Sequence, residues 1–273
     1  MPELPEVETT CRGIEPYITG RGIKYVDVRE PRMRWPVENS VYALEGCVID
    51  KIERRAKYIL LRSPAGTLIL HLGMSGSLRI CSRDTEFKKH DHFILGLEGD
   101  MEMRLHDPRR FGAVLWHTHA SEPLTSHALL KHLGPEPLDK NFDASYMAAT
   151  CKNRTTSIKQ HIMNSKVVVG VGNIYACEAL FRAGIRPQRK AGKISKVRLK
   201  ALVSEIKLVL DEAIQQGGTT LRDFLREDGQ PGYFKQRLLV YDRAGKPCRE
   251  CGSEIRKMVI SNRSTFFCPS CQR

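Results

Sequence analysis

Four cysteines near the end of the chain constrain its fold more than any other feature. They form two Cys-x2-Cys pairs, Cys248 with Cys251 and Cys268 with Cys271, separated by sixteen residues. This spacing is typical of four thiolates around one tetrahedral zinc ion, and it disfavours the alternative of four unligated cysteines. Because four protein ligands leave no open coordination position, we expect one structural Zn2+ rather than a catalytic ion. The segment Glu254–Phe267 between the pairs predicts a β-hairpin.

The remaining five of the nine cysteines stand singly along the chain. A chain with scattered single cysteines and a metal site is typical of a reducing compartment, whereas disulfides form in an oxidising one. The sequence has no run of eighteen apolar residues, and its start lacks the apolar segment of a secretion signal. We therefore expect a cytoplasmic protein without a membrane partner.

Positive charge is concentrated in the second half of the chain. The formal net charge is +13, yet residues 1–151 carry 20 Lys and Arg against 21 Asp and Glu. Residues 152–273 carry 24 against 10. A charge that serves only solubility is expected to be spread more evenly. The asymmetry favours a polyanion, most simply a nucleic acid, bound mainly by the second half.

The first half of the chain has the pattern of a β-rich domain. Residues 1–14 predict a helix that Gly13 ends, and short β-like runs separated by turn residues follow. Eight such strands favour a β-sandwich or barrel. The predicted strands are Ile23–Val28, Ala43–Ile52, Tyr58–Arg62, Thr67–Leu72, Ser77–Cys81, His92–Leu97, Met101–His106 and Gly112–Trp116.

Helical patterns replace the strands after a proline-containing linker. One helix is predicted over Ile174–Ala183, started by Asn173 and stopped by Gly184. A longer one is predicted over Ser195–Gln216, where apolar residues recur on one stripe. At 273 residues, the chain is long enough for two domains with separate cores, followed by the cysteine module.

The N-terminus offers a candidate nucleophile. Removal of Met1 would leave Pro2 with a free secondary amine, and an α-amino group is far less protonated than a lysine near neutral pH. Such an amine can form an iminium with the anomeric carbon of a sugar, while Glu3 donates a proton as general acid. From these residues alone, an ordinary chain start with acidic residues in the first helical turn is the commoner explanation.

Five segments along the chain form a distinctive set of motifs. They are, in order, Met1–Thr9, His71–Gly76 (HLGMSG), Asp107–Gly112 (DPRRFG), Val168–Leu180 (VVGVGNIYACEAL) and Arg263–Gln272. Together they resemble one family over essentially the whole chain, the formamidopyrimidine-DNA glycosylases of bacterial oxidised-purine repair. Leu4 resembles this branch rather than the related endonuclease VIII type, which tends to carry glycine there and prefers oxidised pyrimidines.

The resemblance implies an α+β multidomain fold. Residues 1–117 would form a catalytic N-terminal β-sandwich flanked by helices, and 118–150 the linker and start of the helical domain. Residues 151–238 would form a helix–two-turns–helix DNA-binding domain, and 239–273 a β-hairpin zinc finger. The turn Ser261–Ser264 predicts that Arg263 lies at the hairpin tip.

The same resemblance implies catalytic roles. Pro2 would be the nucleophile and Glu3 the proton donor, with Glu6 positioning the amine. Lys57 would bind the phosphate beside the lesion and assist β-elimination, and Arg263 would take part in the final δ-elimination.

The resemblance also implies DNA contacts. Met74, Arg109 and Phe111 would fill the void that an extruded base leaves; from local sequence alone, Met74 and Phe111 would more often be core residues. Asn173 would hold a lesion-flanking phosphate near a helix N-terminus, and Gly217–Tyr233 would form a flexible loop over the base. Further expected DNA contacts are His71, His90, Arg154, Lys159 and Arg263.

The expected protein is a monomeric, bifunctional DNA glycosylase and abasic-site lyase of the bacterial cytosol or nucleoid. It would act on damaged double-stranded DNA, releasing 8-oxoguanine and formamidopyrimidines. Two alternatives stay open on sequence alone. One is endonuclease VIII-type specificity on the same scaffold, and the other is a DNA-binding protein without catalysis.

Overall fold

The computed structural model describes residues 2–120, 123–217 and 238–273. The described residues form two compact units. Residues 2–132 and 214–217 belong to the first, and residues 133–213 and 238–273 to the second. In the described part of the chain, no helix has the length and apolar character needed to cross a membrane.

The chain opens with helix α1 (Leu4–Ile18), which extends beyond its predicted end at Gly13. The prediction was wrong because tertiary burial outweighs the weak helix propensity of glycine, a cost of about 1 kcal/mol. Ile14 and Ile18 are fully buried, and they continue an apolar stripe that starts at Val7. The stripe attaches α1 to the core of the first unit.

Eight antiparallel strands form two four-stranded sheets. The strands are β1 (Ile23–Val28), β2 (Lys51–Arg55), β3 (Tyr58–Arg62), β4 (Gly66–His71), β5 (Ser77–Ser82), β6 (Asp91–Leu97), β7 (Met101–His106) and β8 (Ala113–Thr118). One sheet has the order β1-β6-β7-β5 and the other β2-β3-β4-β8. The number of strands and the β-sandwich agree with the prediction.

The predicted strand Ala43–Ile52 was wrong over most of its length. A 3-10 helix occupies Asn39–Leu44, and the strand begins only at Lys51. Leu44 is instead buried from the 3-10 helix and Val48 is exposed, and Gly46 has a φ of 77°, which breaks an extended backbone. The other predicted strands agree with the structure to within two residues at either end.

Both sheets and α1 contribute to one apolar core. Alternate residues of each strand point into it, as expected for two sheets packed face to face. The core residues include Ile59, Leu61, Leu68 and Leu70 from one sheet and Phe93, Leu95, Met103 and Leu105 from the other.

Helices dominate the second unit. Asp143 and Ser157 cap the first two helices by accepting hydrogen bonds from backbone amides. Gly172 rather than Asn173 is the N-cap of the third, so that predicted cap was wrong; the Asn173 side chain is held by the hairpin strand described below. The helices are α2 (Ala144–Cys151), α3 (Ile158–Ile162), α4 (Asn173–Arg182) and α5 (Lys196–Gly217), of which residues 214–217 belong to the first unit.

The predicted hairpin is present as β9 (Arg256–Ile260) and β10 (Arg263–Phe267). Ser261 and Asn262 join the strands with φ values of 49° and 58°, the sign required at both central residues of a type I′ turn. The chain that enters this module is anchored to α4. The buried Glu178 carboxylate accepts hydrogen bonds from three successive backbone amides, those of Leu239, Val240 and Tyr241.

Candidate active site and zinc centre

Strand register places several of the expected site residues at one end of the sandwich. Tyr58 of β3 is opposite His71 of β4, which is opposite Ala113 of β8. Together with Arg55 of β2, which is opposite Tyr58, these residues form the last row of their sheet. The turn 56–57, the loop 72–76 and the loop 107–112 therefore leave the sheet at the same edge. We call these three connections the loop end of the sandwich.

The N-terminus is fixed at the start of α1. Glu3 is the N-cap residue and only 2% exposed, whereas Pro2 is partly exposed. The Glu3 backbone N–H donates to Glu6 Oε2 at 2.8 Å, and the Glu3 carbonyl accepts from the Val7 N–H at 3.1 Å. The structure thus holds a buried glutamate next to a partly exposed proline, and the Glu6 carboxylate fixes the backbone between them.

An ion pair connects this helix to the turn that carries Lys57. Arg54 Nε of β2 lies 2.8 Å from Glu8 Oε2 of α1, and Arg54 Nη1 donates to the Ala56 carbonyl at 3.0 Å. Burial would raise the pKa of Glu8, but the hydrogen bonds and charges of Arg54 and Arg12 outweigh it and hold that pKa below its usual range. The sequence indicates only a basic segment here. In the structure, Arg54 orders the turn 56–57 relative to α1.

His71 ends β4 next to the loop that carries Met74. Its Nδ1 accepts from the Gly73 N–H at 2.9 Å, and its ring centroid lies 5.0 Å from that of Tyr58. Burial, followed by the positive charges of Arg34 and Lys57, lowers the pKa of His71 to about 4. Near neutral pH, the imidazole is therefore uncharged and carries its proton on Nε2.

The three expected void-filling residues are exposed at the loop end. Met74 is 39% exposed and Phe111 44% exposed, so neither is the core residue that local sequence favours. The Arg109 guanidinium lies 4.9 Å from the centre of the Phe111 ring. We call Met74, Arg109 and Phe111 the wedge residues. His90 lies beside the loop 107–112, which carries Arg109 and Phe111, because the His90 carbonyl accepts from the Asp107 N–H at 2.9 Å.

In the second unit, Lys159 is buried rather than exposed. It is only 1% exposed, and its ammonium donates to Asn173 Oδ1, to Thr265 Oγ1 at 2.7 Å and to the Ser264 carbonyl at 3.3 Å. Asn173 Nδ2 also donates to the Ser264 carbonyl, at 2.9 Å. Because a buried ammonium needs such acceptors, Lys159 orders Asn173 and β10 in this structure instead of offering a surface charge.

The two expected arginines of this unit are exposed. Arg263 is the first residue of β10, directly after the type I′ turn, and it follows the hairpin tip rather than forming it. Arg154 follows α2, and its Nε donates to the Thr150 carbonyl at 3.4 Å. The predicted base-covering loop Gly217–Tyr233 lies, apart from Gly217, outside the described residues.

The four paired cysteines form one cluster whose sulfur atoms all lie within 4.8 Å of one another. Cys248 Sγ and Cys271 Sγ are 3.9 Å apart, and Cys251 Sγ and Cys268 Sγ are 3.5 Å apart. Tetrahedral zinc with bonds of about 2.3 Å places its sulfur ligands about 3.8 Å apart. The donor set and its geometry fit a structural Zn2+.

Comparison with known proteins gives the same result. The sequence matches the formamidopyrimidine-DNA glycosylase N-terminal domain over residues 1–114, the H2TH domain of the same enzymes over 133–225, and a zinc finger found in FPG and IleRS over 245–273. The chain belongs to the formamidopyrimidine-DNA glycosylase family. This confirms the predicted family and fold class, and the zinc-finger match together with the cysteine cluster confirms one structural zinc.

Individual relatives match along their whole length. The formamidopyrimidine-DNA glycosylase of Thioalkalivibrio sulfidiphilus is 57% identical, with 100% of both chains covered. The Lactococcus lactis enzyme bound to DNA containing an abasic site is 30% identical, with a TM-score of 0.87 and 99% of both chains covered. A MutM complex with DNA containing carbocyclic 8-oxo-G is 33% identical, with a TM-score of 0.89 and 100% of both chains covered.

Replacing a zinc ligand should unfold the cysteine module alone. Cys251 is exposed, so Cys251→Ser removes a thiolate without leaving a cavity. We expect bound zinc to fall from one ion per chain to a small fraction, because the binding energy of a structural zinc is also folding energy. Zinc analysis and amide exchange in β9 and β10 measure both effects. Cys81→Ser is the control, and a Cys251→Ser protein that keeps one zinc per chain contradicts the assignment.

His71 should stay neutral well into the acidic range. NMR titration of the imidazole nitrogens, with His71→Asn to identify its signals, should give a midpoint near pH 4 and an Nε2–H tautomer. A midpoint near 6.5 would contradict the described environment.

The same shift predicts a pH dependence of stability. The folded-state pKa of His71 lies below that of the unfolded chain, so the unfolded state takes up its proton first. Neutral His71 makes its full contribution to the free energy of unfolding above pH 6.5, and this contribution declines as the pH falls towards about 4. His71→Asn keeps an acceptor for the Gly73 amide but does not titrate. In urea unfolding it should therefore lose less stability than the wild type over this range.

Proposed function

We propose that the chain is a bifunctional DNA glycosylase and abasic-site lyase of base excision repair. The observation that carries the proposal is the pairing of a partly exposed Pro2 with a buried Glu3 at the start of α1. We further propose that it releases 8-oxoguanine and formamidopyrimidines from duplex DNA. The family assignment and the relatives bound to DNA with carbocyclic 8-oxo-G or an abasic site support this substrate class.

In the proposed first stage, the Pro2 nitrogen attacks C1′ of the damaged nucleotide. The bond from C1′ to the base breaks as the new C–N bond forms, and Glu3 donates a proton to the departing base. The proton that the Pro2 nitrogen loses passes to the ring oxygen O4′, whose bond to C1′ then breaks. The product is an iminium between Pro2 and the ring-opened sugar. The burial of Glu3 directly beside Pro2 supports this role, because it places the carboxyl group next to the proposed nucleophile.

In the second stage, the iminium makes the proton on C2′ acidic. Loss of that proton expels the 3′ phosphate, and a further elimination expels the 5′ phosphate, leaving a one-nucleotide gap. We assign Lys57 to binding the phosphate beside the lesion and to the first elimination, and Arg263 to the second. The hydrogen bond from Arg54 to the carbonyl of Ala56, the residue before Lys57, supports a fixed backbone position for Lys57.

We propose that the wedge residues fill the gap left by the extruded base while the second unit binds the backbone. Exposed apolar side chains next to an arginine suit insertion between bases. Asn173 at the first turn of α4 suits phosphate binding, since helix N-termini offer free amides. We assign four further residues to the same interface: His71, His90, Arg154 and Lys159. Lys159 acts there indirectly, through the hydrogen bond that it donates to Asn173. The charge of residues 152–273 supports this division.

The remaining assignments also stay proposals. We propose a monomer of the bacterial cytosol or nucleoid, with domains at 1–117, 151–238 and 239–273. Residues 118–150 would form the linker and the start of the helical domain. The limits of the matched domains, which end at 114 and begin again at 133 and 245, support these boundaries.

The role of Glu3 can be tested by Glu3→Gln. We expect release of 8-oxoguanine to fall by about 100-fold or more, the usual contribution of a general acid. Cleavage of a preformed abasic site should be affected much less, because no base has to leave. Single-turnover assays on the two substrates measure both steps. Glu15→Gln, on an exposed position of the same helix, is the matched control, and unchanged base release in Glu3→Gln would remove Glu3 from the mechanism.

The same assay on the wild type separates the alternative functions. Preference for 8-oxoguanine over thymine glycol is expected from the proposal, whereas the reverse preference would indicate endonuclease VIII-type specificity. Binding without cutting of any damaged duplex would indicate a DNA-binding protein without catalysis.

A further inference from the structure

A fully buried carboxylate, that of Asp107, joins the two loops that carry the wedge residues. Asp107 Oδ1 accepts from Ser75 Oγ at 2.7 Å and from the Arg109 backbone N–H at 3.3 Å. Its Oδ2 accepts from the Gly112 N–H at 2.7 Å. One carboxylate therefore bonds to the loop 72–76 and to both halves of the loop 107–112.

The backbones of these loops also touch directly. A Cβ atom on Gly73 would lie 2.4 Å from the carbonyl carbon of Phe111, and Gly73 has a φ of 64°. A Cβ atom on Gly112 would lie 2.8 Å from the His71 carbonyl oxygen and 3.0 Å from Asp107 Oδ2. At such distances, only glycine fits at either position. Neither loop can shift by much without moving the other.

The position of Asp107 is itself fixed by β6 and by the residue just before that strand. Its carbonyl oxygen is 3.0 Å from His92 Nε2, and its N–H donates to the His90 carbonyl at 2.9 Å. The Asp107 carboxylate is thus a fixed point of the sandwich rather than part of a free loop.

Each wedge residue is bonded to this carboxylate or is next to a residue that is. Met74 precedes Ser75, Phe111 precedes Gly112, and Arg109 donates its own backbone N–H. The backbone positions of all three are therefore set by one buried group, while their side chains remain exposed.

We propose that Asp107, acting with Ser75, is a positioning residue that holds the wedge residues in the arrangement needed to enter the DNA stack. This inference rests on the proposed function. Extruding a stacked and paired base requires unstacking energy, and a wedge that is already ordered does not have to be ordered during insertion. An abasic nucleotide has no base to unstack, so its cleavage should depend on the wedge far less.

The test uses Ser75→Ala, Ser75→Thr and Asp107→Asn. Ser75→Ala removes only the bond between the two loops, and Ser75→Thr restores a hydroxyl. Asp107→Asn keeps one acceptor oxygen but turns an amide towards an N–H donor. Ser82→Ala is the control, because Ser82 Oγ accepts only a long exposed hydrogen bond, from the Asp84 N–H at 3.4 Å.

Three quantities are measured on proteins whose thermal unfolding is checked first. They are the single-turnover rate on a duplex with 8-oxoguanine, the rate on the same duplex with an abasic site, and the fluorescence of a 2-aminopurine beside the lesion. The fluorescence reports unstacking as the wedge enters. Loss of a charge-assisted hydrogen bond corresponds to about a 10- to 100-fold effect.

We expect Ser75→Ala and Asp107→Asn to slow 8-oxoguanine release by about tenfold or more and to weaken the fluorescence change. Abasic-site cleavage should stay close to wild type, and Ser75→Thr should recover both signals. Equal slowing on both substrates, or no slowing on either, would overturn the positioning role. A wild type that cuts neither substrate would instead overturn the proposed function, which separates the two failures.

Discussion

The proposed chemistry depends on a chain terminus that is held in place, although protein termini are usually poorly ordered. Two features fix it here. The apolar stripe of α1, from Val7 to Ile18, is buried in the sandwich core. The pair Glu8–Arg54 then joins the helix to the turn 56–57. Pro2, the proposed nucleophile, and Lys57 on the hairpin turn thereby belong to one compact unit.

A similar support by buried polar groups occurs at the two other sites where DNA-contacting side chains are expected. A buried polar group forms several hydrogen bonds and fixes the backbone beneath an exposed side chain. Asp107 does this for the wedge residues, and Lys159 does it for Asn173 and for the strand that begins with Arg263. Such buried groups need their partners, because an unpaired buried charge is costly. Their bonding therefore ties the geometry of the exposed residues to the stability of the fold.

The sequence predicted the features that depend on local patterns. The cysteine spacing predicted zinc, and alternating residues placed strands such as Tyr58–Arg62 and Met101–His106 at their observed limits. It failed where tertiary contacts decide. The helix passes Gly13 because Ile14 and Ile18 are buried, and Asn173 is held by a strand 91 residues away. Arg54 and Asp107 were missed because their partners Glu8 and Ser75 are 46 and 32 residues distant.

Borohydride trapping tests most directly whether the Pro2 nitrogen attacks the sugar. Protein that is verified to lack Met1 and to contain zinc is incubated with an 8-oxoguanine duplex and sodium borohydride, and the adduct is mapped by peptide mass spectrometry. We expect a covalent complex on the peptide that begins with Pro2, and none with protein that retains Met1. No adduct, or an adduct on Lys57, would contradict this account of the site.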